Sequence, residues 1–571
     1  MNPIAGRERR EYLWLFLTVA GALVFRLALA SLPRVIRWDE PDYLWLGKNL
    51  LSGRGYTIIG VPELHYTPLF PLLAGGVYLL TGNPELGSSF WYVLLGALLV
   101  VPVYLLARRM YARRVAMLSA ALVAVFPGLS SAVLYWGTMT EPLFILIIYC
   151  ALWVAAIALA DKSQSTAITI KGEIETCLQG DKLWAYAAVG GLISLAYLSR
   201  PEGIVWLASL GAFFVLVWLL KRQLWSWRRV ACLGLYLGAF ILVAAPYAIY
   251  LHGHTGKWMA TGKLSITYDI GEAVLERDPV LYDKVTASLD SEGEVLWWSN
   301  KRFEQGIIDI FLRDPRKFLQ RVWRNLQQMK VALFSATIFP MVLLAPVVLG
   351  WFREPWKRRR FGREALLWFG ILPVASFLPF HIEVRFLSPA LPAMLIWVAA
   401  GLWAMGSWLA ETVCSWRFGS SWPERVQRCQ LNHWRLVAVA LLLLPVAAYL
   451  TFTHVRVVQR GMGDLSYEHK AAGLWLKEHT PREASIMSRD LAVSLYAERG
   501  FVVSPRADYA SYLAYARRKG ATHLLVDEHE LRVLRPYLAF LLDDTSPPAD
   551  LEPVYSGQDA RGRVIIYRIK D

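Results

Sequence analysis

Tyr66–Pro84 reads YTPLFPLLAGGVYLLTGNP, uncharged and almost long enough to cross a bilayer. Whether it crosses decides the topology of everything after it. Counted as a span, it turns every strongly basic loop downstream outward, against the preference of Lys and Arg for the cytoplasmic side. It also carries Pro68, Pro71, Gly75, Gly76, Gly82 and Pro84. The stretch is therefore read as interfacial or re-entrant, within one large external loop, 33–85.

Outward from it, charge-poor stretches recur at about 12–32, 86–107, 115–138, 142–160, 183–199, 203–220, 231–251, 331–352, 365–380, 386–408 and 436–453. The loops between them alternate. Arg108–Arg114, 161–182, Lys221–Val230, Arg353–Glu364 and 411–435 are assigned to the cytoplasm, and the short loops opposite contain only Arg200 and Arg385 as cations. The fold class predicted is an all-α polytopic membrane domain of about eleven transmembrane helices, residues 1–454, with external loops 33–85 and 252–330. In the second loop Asp314-Pro315 should open an amphipathic helix lying on the membrane, Asp as N-cap and Pro at N1. Arg26, near the outer end of the first span, should snorkel to the interface.

Among 571 residues, 56% are hydrophobic, 25 are Trp and 18% are charged, a balance that excludes an ordinary soluble protein. The net charge of +15 follows from topology-setting loops and does not point to nucleic acid. The five Cys show neither metal spacing nor a disulfide framework. Arg7–Arg10 and the apolar run after it are read as a retained first helix, although Ala28-Leu29-Ala30 resembles a signal-peptidase site.

After about 454 the pattern changes. Helix-like segments (472–479, 491–498, 509–519) alternate with strand-like ones (484–487, 501–503, 523–526, 564–567), predicting an extracytoplasmic soluble α/β domain over 455–571. It carries neither a GxGxxG nor a Walker motif.

The candidate chemistry clusters on the external side. Asp39 and Glu40 follow the first span, and Glu141 sits at the mouth of the fourth. Adjacent acids suit general-base work, although taken alone a helix-end cap is the better explanation of each. Arg200 and Arg385 break the orientation pattern, and a guanidinium binds two phosphate oxygens at once without losing its charge. Interfacial anchoring or pairing with Glu202 and Glu383 is the plainer explanation. His65, Lys257 and His381 are weaker candidates. Together these groups fit a cavity at the lipid surface that takes a lipid-linked phosphate, tail in the bilayer and head in the cavity.

Asp39-Glu-Pro-Asp-Tyr-Leu-Trp-Leu-Gly-Lys-Asn-Leu-Leu-Ser-Gly-Arg-Gly-Tyr56 and His65-Tyr-Thr-Pro-Leu-Phe-Pro-Leu-Leu73 resemble the first external loop of the GT-C glycosyltransferases. The branch resembled is that of the protein O-mannosyltransferases (glycosyltransferase family 39) and the lipid A aminoarabinose transferase. Thr140–Phe144, Leu198–Gly203 and Val384–Pro392 fit the same pattern in the same order. The resemblance covers roughly 10–455. It implies a transferase moving a sugar from a polyprenyl-phosphate carrier to an extracytoplasmic acceptor (lipid, glycan or protein), usually with inversion. Asp39 matches the family's catalytic acid. Glu40 and Glu141 would assist it, Arg200, Arg385 and Lys257 would bind donor phosphate, and His65, Glu202, His381 and Glu383 would contact substrate. No cofactor is required, and a divalent metal near Asp39, Glu40 and Glu141 is left open. The setting implied is a bacterial inner membrane, with site and terminal domain facing the periplasm or cell exterior. Thr67-Pro68 replaces the common Pro-Pro, Phe386 a common Tyr, and the insert Ser163–Gly180 has no counterpart. A transporter or flippase of a lipid-linked substrate is the alternative; it predicts charges at mid-bilayer and related halves.

Overall fold

The computed structural model describes residues 3–137, 139–159, 182–220, 226–295, 306–418, 424–559 and 562–570. Residues 161–181 of the expected loop 161–182, with Cys177 and the insert, lie outside the described residues, as do 221–225 and 419–423 of two others. Each of the eleven expected stretches holds helix. Among the described residues, seven helices are long and apolar enough to cross a membrane: Arg9–Ala30, Pro84–Met110, Glu141–Ala158, Gly203–Leu220, Trp227–Thr255, Val384–Trp416 and Leu431–Gly463. Their outward faces carry exposed apolar side chains such as Phe16, Leu242 and Leu444, as contact with lipid requires. The last of them, Glu424–Gly463, continues past residue 454 without a break.

The remaining expected spans are shorter or broken, for identifiable reasons. The third divides into Arg113–Val125, a 3-10 turn at Pro127–Leu129, and Ser131–Trp136. Pro127 has no N–H to continue the ladder, which frees carbonyls in an apolar setting. Arg26 meets them, donating to Ala124 O at 2.7 Å and Leu129 O at 3.0 Å. It is fully buried, so the expected snorkelling is corrected. Satisfying these carbonyls inside the bundle replaces what water would supply at the interface. The eighth stretch is helical only to Leu333 and again from Met341, after Pro340. The ninth becomes 3-10 at Leu372–Phe377, where Pro373 interrupts it.

The topology-deciding stretch forms a helix of 13 residues, Leu69–Thr81, closed by Gly82 in the left-handed region (φ 67°). At about 1.5 Å per residue it reaches roughly 20 Å, short of the ~30 Å hydrocarbon core. Calling Pro3–Ala30 α1, Glu40–Leu51 α2 and this helix α3, α2 crosses α3 at two glycines. A Cβ on Gly47 would lie 1.9 Å from Pro71 O, and one on Gly75 2.4 Å from the carbonyl carbon of Gly47. That side-chain-free crossing folds loop 33–85 back on itself and holds the start of α2 against the bundle. In the second external loop Asp314 caps Pro315–Leu333 as expected, accepting from Lys317 N–H at 2.9 Å.

Two short strands in the first loop, β1 (Thr57–Ile58) and β2 (Val61–Pro62), form a hairpin. The terminal region is the expected α/β unit. Its five strands are β3 (Ser485–Ser488), β4 (Gly500–Val503), β5 (His523–Asp527), β6 (Leu551–Asp559) and β7 (Gly562–Ile569), in the order β4-β3-β5-β7-β6. β3 pairs in parallel with β4 and β5, while β7 is antiparallel to β5 and β6. The region seats on the external loops through polar contacts. Tyr496 Oη accepts from Ile36 N–H at 3.0 Å and donates to Glu85 at 2.8 Å. Asp283, from loop 252–330, is fully buried against Arg535 at 3.0 and 3.1 Å.

Candidate functional site

α2 begins where the chain leaves the first span, and its first turn is bent by neighbours. Trp38 is held at φ 56° and Gly137 at φ 72°. The N–H groups of Asp39 and Glu40 both donate to Gly137 O, at 3.1 and 3.2 Å. Asp39 occupies the N-cap position of α2, yet its carboxylate makes no cap hydrogen bond. Oδ2 meets Arg385 Nη1 at 3.5 Å and Oδ1 meets Tyr66 Oη at 3.2 Å. The helix-cap explanation of Asp39 therefore does not describe its side chain.

Asp39 faces a cavity of about 870 Å³, bounded by helix ends, the loops 33–85 and 252–330 and the terminal domain. Arg200, Arg385, His65, Glu202, His381 and Glu383 also line it. These side chains come from segments hundreds of residues apart and form two linked runs. In the first, His381 Nε2 is 3.1 Å from Glu383 Oε1, and Arg385 Nε donates to Glu383 Oε2 at 2.6 Å before Nη1 reaches Asp39. In the second, Arg200 Nη1 donates to Glu141 Oε1 at 2.9 Å, and its Nε is 3.5 Å from Glu202 Oε2. Glu141 is buried behind Arg200 at the start of its helix. Each guanidinium is thus oriented by carboxylates while remaining on the cavity wall.

Three sequence candidates do not line this cavity: Glu141, behind Arg200, and also Glu40 and Lys257. Glu40 points the other way and is sealed in an ion pair with Arg34 at 2.6 Å, its second oxygen accepting from Arg37 N–H at 3.2 Å. Both side chains are buried, so the reading of Glu40 as a group facing substrate is corrected to a structural one. Glu40→Gln is expected to cost about 3–5 kcal/mol by leaving the Arg34 charge uncompensated. The check is the thermal denaturation midpoint of the purified protein. An unchanged midpoint with lost activity would return Glu40 to the chemistry. Lys257 is exposed in the turn after Gly256 and does not line the cavity, where Lys263 does. Gly262 N–H donates to Leu64 O in the first loop, which brings the chain beside Lys263 to the cavity.

Asp42, Tyr66 and Lys263 were missed as site residues. The signal for Asp42 was present, since i and i+3 share a helix face. Tyr66 Oη lies 3.0 Å from Asp42 Oδ2 as well as near Asp39. Burial, then the neighbouring Asp39 charge, pushes Asp42 well above the ordinary carboxylate range. Burial pushes Glu383 up too, but Arg385 and then His381 outweigh it and hold that carboxyl far below its usual value. Burial, reinforced by Lys263, holds His65 well below the ordinary imidazole value, so its ring is neutral near neutral pH. Among the described residues no group of three or more His, Cys, Asp or Glu is placed to hold a metal ion.

Residues 65–171 match the family described as dolichyl-phosphate-mannose-protein mannosyltransferase. Comparison with curated protein sequences gives no match. Among solved structures, ArnT from Cupriavidus metallidurans in the apo state is similar over 97% of both chains, with 13% identity and a TM-score of 0.57. The same protein bound to undecaprenyl phosphate gives 0.54 at 14% identity and the same coverage. The oligosaccharyltransferase AglB from Archaeoglobus fulgidus, in complex with an inhibitory peptide and a dolichol-phosphate, is similar over 99% of this chain and 75% of its own, with 14% identity and a TM-score of 0.54. The fold expected from the resemblance, a GT-C membrane domain carrying a terminal α/β domain, is the fold adopted.

Proposed function

We propose that the chain is an integral-membrane glycosyltransferase. It moves a sugar from a polyprenyl-phosphate-linked donor to an extracytoplasmic acceptor, by direct displacement with inversion. One observation carries this reading: Asp39 and the oriented guanidinium groups of Arg200 and Arg385 share one cavity at the ends of apolar helices. Solved proteins of the same fold bound to dolichol-phosphate or undecaprenyl phosphate support the donor class.

In the reaction, the anomeric carbon–phosphate oxygen bond breaks as the acceptor oxygen bonds to the anomeric carbon from the opposite face. The acceptor proton passes to Asp39. The leaving lipid phosphate takes the bonding pair and gains a second negative charge. Arg200 and Arg385 stabilise that charge as it develops, which lowers the barrier instead of only tightening binding. Glu383 and Glu141 keep the two forks aimed. Asp42, buried beside Asp39, is pushed toward its protonated form.

The test is mass spectrometry of lipid-linked sugars and surface glycans in a strain lacking the gene. Accumulated donor with one missing modification is expected. Unchanged lipid-linked pools and glycans would overturn the assignment.

A further inference from the structure

A second cavity, of about 330 Å³, opens beside the first and shares Trp38, Asp39, Tyr282, Arg489 and His529 with it. It lies at the carboxyl ends of the parallel strands. Arg489 and Asp490 follow β3, Ser504 follows β4, and Glu528 and His529 follow β5. Strands β4 and β5 flank β3 on opposite sides, so the chain reverses direction at this crevice, the position where open α/β sheets bind ligands.

The floor is built and polar. His469 Nδ1 is 3.0 Å from Asp490 Oδ2, and Nε2 is 3.8 Å from Asp527 and 4.0 Å from Glu468. Burial opposes its charge, but the hydrogen bond to Asp490 and the surrounding carboxylates push His469 up to about 9. Glu468 is 8% exposed, and burial together with a side-chain hydrogen bond to Asp559 pushes its carboxyl up to about 7. On the rim, Trp38 is 65% exposed although its backbone sits at φ 56°, which a bulky residue adopts only under constraint from its surroundings. That constraint presents an indole next to Asp39.

We propose that this second cavity is the acceptor subsite, and that its occupant is a carbohydrate, neutral or amine-bearing where it is held. The assignment rests on the transferase reading above and extends it to the acceptor class. Sugar hydroxyls both donate and accept, which suits a wall of mixed carboxylates and guanidinium groups. The apolar face of a sugar ring packs on an indole. Six acidic side chains line it against three arginines and two histidines, so it offers no excess of positive charge to hold a second phosphate. The size is at the low end of small-ligand pockets, about 300–1,000 Å³. A polypeptide acceptor would call for a longer groove offering backbone partners, whereas this cavity is walled by side chains.

The experiment uses the full chain in lipid nanodiscs and saturation-transfer NMR, with methyl α-mannoside and methyl β-glucosaminide as probes and a threonine-containing hexapeptide as rival. At least one glycoside is expected to bind, with affinity falling tenfold or more in both Glu468→Gln and Trp38→Gly, and the peptide is expected to give no signal. Glycine suits the backbone at position 38, so Trp38→Gly keeps the test valid where Glu468→Gln unfolds the terminal domain. Failure of both glycosides to bind, unchanged affinity in folded variants, or binding of the peptide in their place would overturn the subsite. Asp39→Asn separates the two readings. Glycoside binding that persists while transfer is lost supports both. Full transfer by that variant, with glycoside binding still dependent on Glu468, removes Asp39 as the base and leaves the subsite standing.

Discussion

Asp39→Asn is expected to lower sugar transfer by about 10²–10⁴-fold, the range typical of a positioned general base, and to leave the protein folded. The side chain does not cap α2 and is 28% exposed toward the cavity, so little of the fold depends on its charge. Asparagine keeps the shape and one carbonyl oxygen to accept from Tyr66 or Arg385, but it cannot take up the acceptor proton. The measurement is the rate of polyprenyl phosphate release from a defined donor, with the thermal midpoint followed in parallel. Wild-type turnover in a folded variant would remove Asp39 from the mechanism.

Arg385→Lys is expected to reduce turnover by roughly 10²–10³-fold, equivalent to about 2.7–4 kcal/mol if the phosphate contact resembles other oxyanion contacts. Its Nε is committed to Glu383 and its Nη1 reaches Asp39, a geometry that a planar fork satisfies and a single ammonium does not. Because the contact strengthens as the leaving phosphate gains charge, the loss should fall on kcat more than on donor KM. Arg568→Lys, on the terminal domain's exposed face, is the control. Equal effects at the two positions would rule out the phosphate contact.

Much of the fold was legible because the bilayer and the β-sheet each impose a period on the chain. Apolar length marked the helical stretches, and the Lys/Arg asymmetry gave an expected parity for them. In the terminal domain, short alternating apolar runs marked β3, β4, β5 and β7 to within a residue or two. Strand β6 escaped notice because Leu551–Asp559 carries Pro553, Gly557 and several polar residues, which only an edge position tolerates. The break at Pro127 was hidden for the opposite reason, since its flanks are uncharged and mostly apolar.

What the sequence determined by itself was therefore the membrane class, the order of elements, the Asp314 cap and the set of external groups from which a site is made. Tertiary structure alone decided which of those groups meet. Glu40 and Asp42 flank one turn of the same helix, and only packing against Arg34 on one side and Tyr66 on the other turned the first inward to a buried ion pair and the second toward Asp39. Lys263 took the place expected of Lys257 because Gly262 N–H, donating to Leu64 O, holds the chain beside it to the first loop. Local patterns report the face and period of a segment. Convergence of residues 39, 200 and 385 on one cavity depends on how whole helices cross, and that is set by close contacts, such as Gly47 against Gly75, spread over the entire chain.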